Sequence, residues 1–438
     1  MSTGTDVLAG PAGPDVKNVR DRADVRRQVR FLVIYGLAAL VLLGFALSID
    51  NPTVAYSLAP KFDINDPPRD VNGLRIVWIT FAITALALVA AVLNRIPRSV
   101  WGALISVVVG LSFYVGLTVW YFADQTETNF FITNPLPNTI QYAVPLVLGA
   151  LAGSLCERSG VINIAIEGQF LAGAFFASVT AALAYSAYVG LLGGAAAGVA
   201  VAAMLAFFAL RYQVNQIVLG VVLIALAGGL SDFLLGQIPT AGANPSMHEK
   251  LTSFETLAPI AIPGLSDIPL VGDALFNQTI LAYIAMVSIA LVWFLLYHTT
   301  WGLRVRSVGE HPKAADTVGI RVNRMRWQAV LLGGVFAGLG GAYYTAGSTG
   351  AFTNNASGGE GFMALAAVIM GRWHPVTASL AALFFGLMLT TEDQFGVLTK
   401  FPTQLLAAAP YIATLIAIAG FAGRVRPPAA NGEPYVKS

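Results

Sequence analysis

Charge is scarce in this chain. Only 11% of its 438 residues are charged, against roughly twice that share in a soluble domain. Hydrophobic residues make up 56%, and the charges cluster between long apolar runs. A soluble fold is thereby excluded. Lipid admits only helices or closed barrels as spanning structures, and these runs do not alternate with period two. The fold read from this is all-α, a polytopic transmembrane helical bundle. Cysteine is nearly absent: Cys156 stands alone, so no internal disulfide can form. The four histidines, His248, His298, His311 and His374, show no metal-ligand spacing. No G-x-x-x-x-G-K-[ST] phosphate loop occurs, so the chain does not hydrolyse ATP by that mechanism. The net charge is +2, with basic residues confined to loops, and nucleic acid is not implied as a partner.

What is present is a series of apolar runs. Residues 1–30 read as a disordered cytosolic tail ending in Arg22, Arg26, Arg27 and Arg30. The first apolar run starts at Phe31, without a signal-peptide pattern. Spans are expected at about 31–48, 74–94, 100–123, 138–155, 163–185, 188–210, 214–235, 279–297, 328–347 and 403–421, with a broken region at 361–391. Basic residues mark inside loops. Arg95, Arg98, Arg158, Arg211, the cluster from Arg304 to Arg326, and Arg424 with Arg426 therefore fall inside. Loops 49–73, 124–137 and 236–278 fall outside. Both termini are then cytosolic, in a plasma (inner) membrane. The count closes only if 361–371 crosses as a short helix before Arg372 and 375–391 returns. Such a helix rises only about 16 Å, short of a core about 30 Å thick. Residues 349–360, rich in Gly, Asn and Ser, are expected to run non-helically at membrane depth, lining a cavity or buried in protein. Gly190, Gly194 and Gly198, and Gly334 with Gly338, form small-xxx-small faces for helix packing.

The stretch from Cys156 to Ala174, CERSGVINIAIEGQFLAGA, carries polar groups into an apolar run. An acid at membrane depth is costly and points to function by default. Taken as a helix over 163–185, the stretch stacks Asn163 and Glu167 at i and i+4 on one face. Glu167 has two readings: a group facing a path for polar solute, or a buried acid bonded to Ser, Asn or backbone. Asn163 and Gln169 read as hydrogen-bonding glue between helices. Arg158 reads as an inside anchor, and Glu157 as its pair or as a cap of the next turn. His374, after Arg372-Trp373, reads as interfacial, the depth Trp prefers. Glu167 to Ala172 is echoed by Glu360 to Leu365: each has an acid, then Gly, at the start of a small-residue apolar run. A true repeat would bring the two copies to a common axis.

Residues 302–320, GLRVRSVGEHPKAADTVGI, form the most polar inside loop. Gly309 and Pro312 punctuate it, and a short helix can follow with Pro312 in its first turn. It is either a solvated loop or a docking helix, with Ala314 and Ala315 small enough for close approach and Glu310 as a rim charge.

Three motifs in order carry a resemblance. They are NIAIEGQFLAGA, the Gly-Glu-X-Pro-X-Ala-Ala segment that runs to Gly319-Ile320, and GFMALAAVIMGRWHP. Together they resemble the permease subunits of ATP-binding cassette importers in the branched-chain amino acid and ribose permease superfamily. CERSGVINIAIEGQF and GRWHP are most similar to nucleoside or simple-sugar permeases that work with basic-membrane-protein-type binding lipoproteins. The resemblance covers about residues 135–425. It implies a type II importer-like core over 131–425, an N-terminal extension over 31–130 with about three spans outside the common core, and a cytosolic tail over 426–438. It further implies that Gly309, Glu310, Pro312, Ala314, Ala315 and Gly319 match a coupling helix for the ATPase. Asn163, Glu167 and Gln169 match the motif near the translocation path, and Glu360 joins them through the echo. The implied partners are a cytosolic ATPase that holds ATP-Mg, a second permease subunit in a heterodimer, an extracytoplasmic substrate-binding lipoprotein and a small polar solute. This chain itself binds no cofactor on that reading and is not an enzyme. An ion-coupled secondary transporter is the rival; it needs relay acids in several spans, and few stand beyond Glu167, Asp232 and Glu392.

Overall fold

The computed structural model describes residues 22–57, 69–123, 132–237, 254–396 and 426–436, together with Gln404, Ala408, Tyr411 and Ile412. Apart from those four, the span expected at 403–421 lies outside the described residues, as does most of the tail expected over 1–30. The chain forms two compact units: residues 1–56 with 68–132, and residues 57–67 with 133–438. Among the described residues, ten helices are long and apolar enough to cross a membrane.

The first unit holds α1 (Arg22–Ser48), the antiparallel strands β1 (Thr53–Tyr56) and β2 (Arg69–Asn72), α2 (Gly73–Val92) and α3 (Val100–Phe122). Asn72 starts α2 by accepting the Arg75 N–H at 3.0 Å. Tyr35 and Ser106 share a hydrogen bond of 2.8 Å between α1 and α3. At the other end Trp120 stacks on Phe45 and donates to Ser48. Leu37, Leu40, Leu86 and Val89 face outward. That is ordinary where the solvent is lipid, since only the polar groups need partners.

The second unit is built around α4 (Pro135–Arg158), which is buried along most of its length. A helix apolar on every side belongs at the centre of a bundle. Asn134 caps it and Pro135 opens it, where no N–H is needed. Against it pack α9 (Ile280–His298) and α12 (Val322–Ala342), whose last turns widen into a π-helix over Tyr343–Thr349; α5 (Ile166–Ala184) and α6 (Ala187–Arg211) pack on α12 and on each other, and α7 (Gln216–Gly236) on α5. The Ala346 carbonyl in the π turns and the Gly350 carbonyl just after them accept from the Leu257 and Phe254 N–H groups. A short helix α8 (Gly272–Phe276) and the strand pair β3 (Pro259–Ala261) and β4 (Asn277–Thr279) precede α9. The broken region resolves as α13 (Glu360–Met370) and α14 (Pro375–Gly396), with residues 350–359 non-helical. This is the short helix and the return that the loop charges required.

The small-residue faces do pack. A Cβ on Gly198 would lie 2.3 Å from the Gly334 carbonyl oxygen, and one on Gly338 would lie 2.2 Å from that of Gly194. On α5, a Cβ on Gly173 would sit 2.6 Å from the Gly338 oxygen. Three helices thus meet backbone to backbone, which only glycine allows. The collisions are with main chain, which cannot rotate away. Gly338→Val is therefore expected to destabilise the protein by at least the roughly 1–3 kcal/mol typical of overpacking. A melting curve in detergent checks this. A wild-type midpoint would mean that the three helices do not meet as described.

Candidate functional site

The polar stretch is not one helix. Ser159 to Ala165 form a non-helical link, and α5 begins only at Ile166. Gly160 turns the chain with φ +88°. Asn163 therefore does not stack on Glu167 along a helix face. The expectation assumed that the apolar run continued helically through the link, but the link's N–H groups bond elsewhere. The Ile162 N–H donates to Gln216 at the start of α7, and the Val161 N–H to the Cys156 carbonyl. Asn163 donates to Gln169 Oε1 at 3.2 Å and faces Cys156 Sγ. Both amides are fully buried, and they hold the link against α5 as glue.

Glu167 stands in the first turn of α5. Its carboxylate accepts from Ser357 Oγ at 2.6 Å, from the Gly359 N–H at 3.1 Å and from the Gly361 N–H at 2.7 Å. The Glu360 and Phe362 N–H groups are met locally by the Ser357 and Gly359 carbonyls. The unpaired donors at the start of α13 are thus satisfied, and an anion sits where a helix dipole favours one. Of the two readings of Glu167, the structure supplies the second: a buried acid bonded to Ser and backbone. Glu360 is half-buried and accepts from Tyr344 Oη at 2.8 Å. The echoed motifs meet directly, since a Cβ on Gly361 would lie 2.6 Å from Glu167 Cα. The loop beside them exposes Thr353, Asn354 and Asn355.

The second cluster joins CERSG to GRWHP. Glu157 accepts from the indole N–H of Trp373 and from Asn431 Nδ2. Arg158 donates to the Trp373 and Arg372 carbonyls at 2.9 and 3.2 Å. Neighbouring charges thus clamp one turn, in which Arg372 and Trp373 both take φ near +55°. Such backbone persists only where its surroundings hold it. Trp373 is buried, and its N–H finds a carboxylate inside the protein. Glu157 also accepts from the Asn163 backbone N–H in the link that follows, so of its two readings the structure bears out the cap. His374 packs on the Tyr297 ring. Burial and then the nearby Arg158 charge lower its pKa from the ordinary value.

The polar loop over 302–320 is mostly helical. Thr299 caps α10 (Thr300–Glu310), and α11 (Pro312–Thr317) follows with Pro312 in its first turn. Gly309 lies inside α10 rather than punctuating the loop. A Cβ there would fall 2.1 Å from the Arg158 carbonyl oxygen, so it permits a close crossing with the end of α4. Gly319, with φ +86°, ends the element in open space. Ala315 does not offer a docking surface. It is buried among Val308, Val322, Met325 and Tyr435, because α11 folds back onto α12. Ala314, Lys313 and Val318 point outward, Val318 being 75% exposed. A cleft of about 440 Å³ is lined by Val318 itself with Trp301, Arg304, Arg321 and Arg324.

Sequence reasoning missed Tyr344, Ser357, Arg326, Trp373 and Asn431 as site residues. Ser357 had a signal in the Gly-rich run before Glu360; Asn431 had none, because its partner lies 274 positions away.

The chain matches the family described as branched-chain amino acid transport system, permease component, over residues 136–419. It is 40% identical over 313 residues to the guanosine ABC transporter permease protein NupQ of Bacillus subtilis, covering 69% of this chain and 96% of that one. It is 36% identical over 311 residues to the nucleoside ABC transporter permease protein NupC of Lactococcus lactis, with the same coverage. It is 34% identical over 291 residues to the putative glucose ABC transporter permease protein TsgC13 of Haloferax volcanii, covering 65% of this chain and 86% of that one. No solved structure matches at significant similarity.

Glu167→Gln keeps the shape but turns an amide NH₂ toward donors. It is expected to lower stability by about 1–3 kcal/mol, the penalty of buried donors left unmet, and by more than Ser357→Ala, which removes one donor alone. Melting of the two purified variants checks the order. Equal and wild-type midpoints would remove Glu167 as the cap of α13.

Proposed function

Because the chain belongs to the branched-chain amino acid transport system permease family, we propose that it is the transmembrane permease subunit of an ATP-binding cassette importer for nucleosides, with simple sugars as the second substrate class. It is a multi-pass membrane protein. On this reading it lies in the inner membrane with both termini cytosolic. Nucleosides come first because the relatives at 40% and 36% identity carry nucleoside names, and the one at 34% carries a sugar name. The chain is a transporter subunit rather than an enzyme, and ATP-Mg belongs to a separate cytosolic ATPase. A second permease subunit completes the translocation path, and an extracytoplasmic lipoprotein delivers the solute. Glu360, Tyr344 and the exposed Asn354 and Asn355 form the polar lining next to α13. Glu167 braces that lining from behind, and Asn163 with Gln169 fixes the start of α5.

The observation that carries this reading is the α10–α11 pair. It holds itself to the body through Ala315, Gly309 and the bond from Trp301 to Gln328, and it presents Lys313, Ala314 and Val318 outward. A helix of six residues does not persist alone. Here its inner face is already packed, so its outer face is a pre-formed seat for the ATPase.

Co-purification with the ATPase and uptake of labelled guanosine test this. Ala314→Trp is expected to leave the protein in the membrane while lowering both at least tenfold. Ala315→Trp is expected to break the packing of α11 itself and to lower yield. Unlabelled nucleosides should compete with guanosine uptake, and glucose should not. Undiminished co-purification with Ala314→Trp would remove α11 as the docking element; competition by glucose alone would reverse the order of substrates.

A further inference from the structure

Residues 426–436 cross the same end of the second unit that carries α10 and α11. The segment has little regular structure, yet its polar groups are bonded one after another. The Ala429 N–H donates to Glu310 Oε2, and the Ala430 N–H to the Gly309 carbonyl at 2.9 Å. Asn431 Nδ2 donates to Glu157 at 3.0 Å. The Gly432 N–H donates to the Gly160 carbonyl at 3.1 Å, and the Glu433 carbonyl accepts from Arg326 at 2.9 Å. Pro428, Ala430 and Tyr435 are buried. Tyr435 lies against Ala315, and its hydroxyl is hydrogen-bonded to Asp316 of α11.

Two sets of partners are joined by these bonds. Gly309, Glu310, Ala315 and Asp316 belong to the docking pair. Glu157 and Gly160 belong to the end of α4 and the link that starts α5. Glu157 also holds Trp373 in the turn between α13 and α14. Arg326 is fully buried and bridges the link to the segment, donating to the Ser159 carbonyl as well as to Glu433. A buried guanidinium needs its acceptors, so the segment cannot move away from the link without stranding that charge.

We propose that residues 426–436 form a transmission strap, which carries displacement of the docking helices to the α4–α5 link and to the α13–α14 turn, with Arg326 and Asn431 as positioning residues. The proposal rests on the reading of α11 as the ATPase seat. Without the strap the ATPase still has its seat on α11, but its movement reaches the path weakly. The signature is hydrolysis without transport.

The test uses the assembled transporter in liposomes, with a chain that ends at Arg426. ATPase co-purification is expected to stay within twofold of wild type, and guanosine taken up per ATP hydrolysed to fall at least tenfold. A synthetic peptide of residues 425–438, added on the ATPase side, should restore at least half of the ratio, which a misfolded chain would not allow. If the shortened chain fails to reach the membrane, Gly432→Val in the full chain makes the test locally. A Cβ there would lie 2.7 Å from Ile162 Cδ1, at a φ of +80°; the ratio should fall and the ATPase should stay bound. An unchanged ratio in either variant, or loss of ATPase in proportion to uptake, overturns the strap. Failure of the docking reading shows elsewhere, as ATPase retained by Ala314→Trp.

Discussion

The core of the second unit depends on how the backbone donors at the start of α13 are met. A helix of eleven residues cannot cross a bilayer, so its amino-terminal end lies among protein groups, with no water assured. Glu167 supplies the acceptor from another helix. Its two oxygens take two backbone N–H groups and a serine hydroxyl, all from residues 357–361. The acid pays for its own burial in the same contacts, since a carboxylate with three donors at a helix start is an accommodated charge. The non-helical loop and the place of Glu360 follow from where that end is fixed.

A second constraint acts at the opposite end of the same helix. Glu157 and Arg158 reach the turn after α13 from adjacent positions, one accepting a side-chain N–H and the other donating to two carbonyls. The short helix is therefore gripped at both ends by residues of one stretch, Glu157 to Glu167. That stretch also touches α10 through Gly309, whose missing side chain brings α10 and α11 against Arg158. The elements proposed to face a partner and those proposed to surround the path are one residue contact apart.

The sequence made the helices legible because apolar length is a direct requirement of the bilayer. It made the short helix and its return legible because the basic residues of the loops allow few foldings. The glycine seam was readable for the same kind of reason: spacing by four puts small residues on one face. The Glu167 environment was half readable. An acid at that depth had to be bonded, but its donors came from a loop 190 positions on. The helix drawn through Asn163 was wrong because hydropathy cannot see a turn whose residues are mostly apolar or small. Ala315 was assigned by local preference, as a landing surface. A tertiary partner decided the matter: Tyr435 buries the alanine.

Helices enter a membrane in the order in which they are made. α5 and α6 are synthesised together, but α12, whose glycines fill the seam between them, follows about a hundred residues later. At typical synthesis speeds of about 5–20 residues per second, that delay is roughly 5–20 s. Through that interval the nascent protein holds a groove shaped for a helix that does not yet exist, open to any other small-faced helix in the translocation machinery or the bilayer. The same bare main chain that gives the finished bundle its closest contacts therefore makes the half-made one dependent on timing and on whatever escorts it.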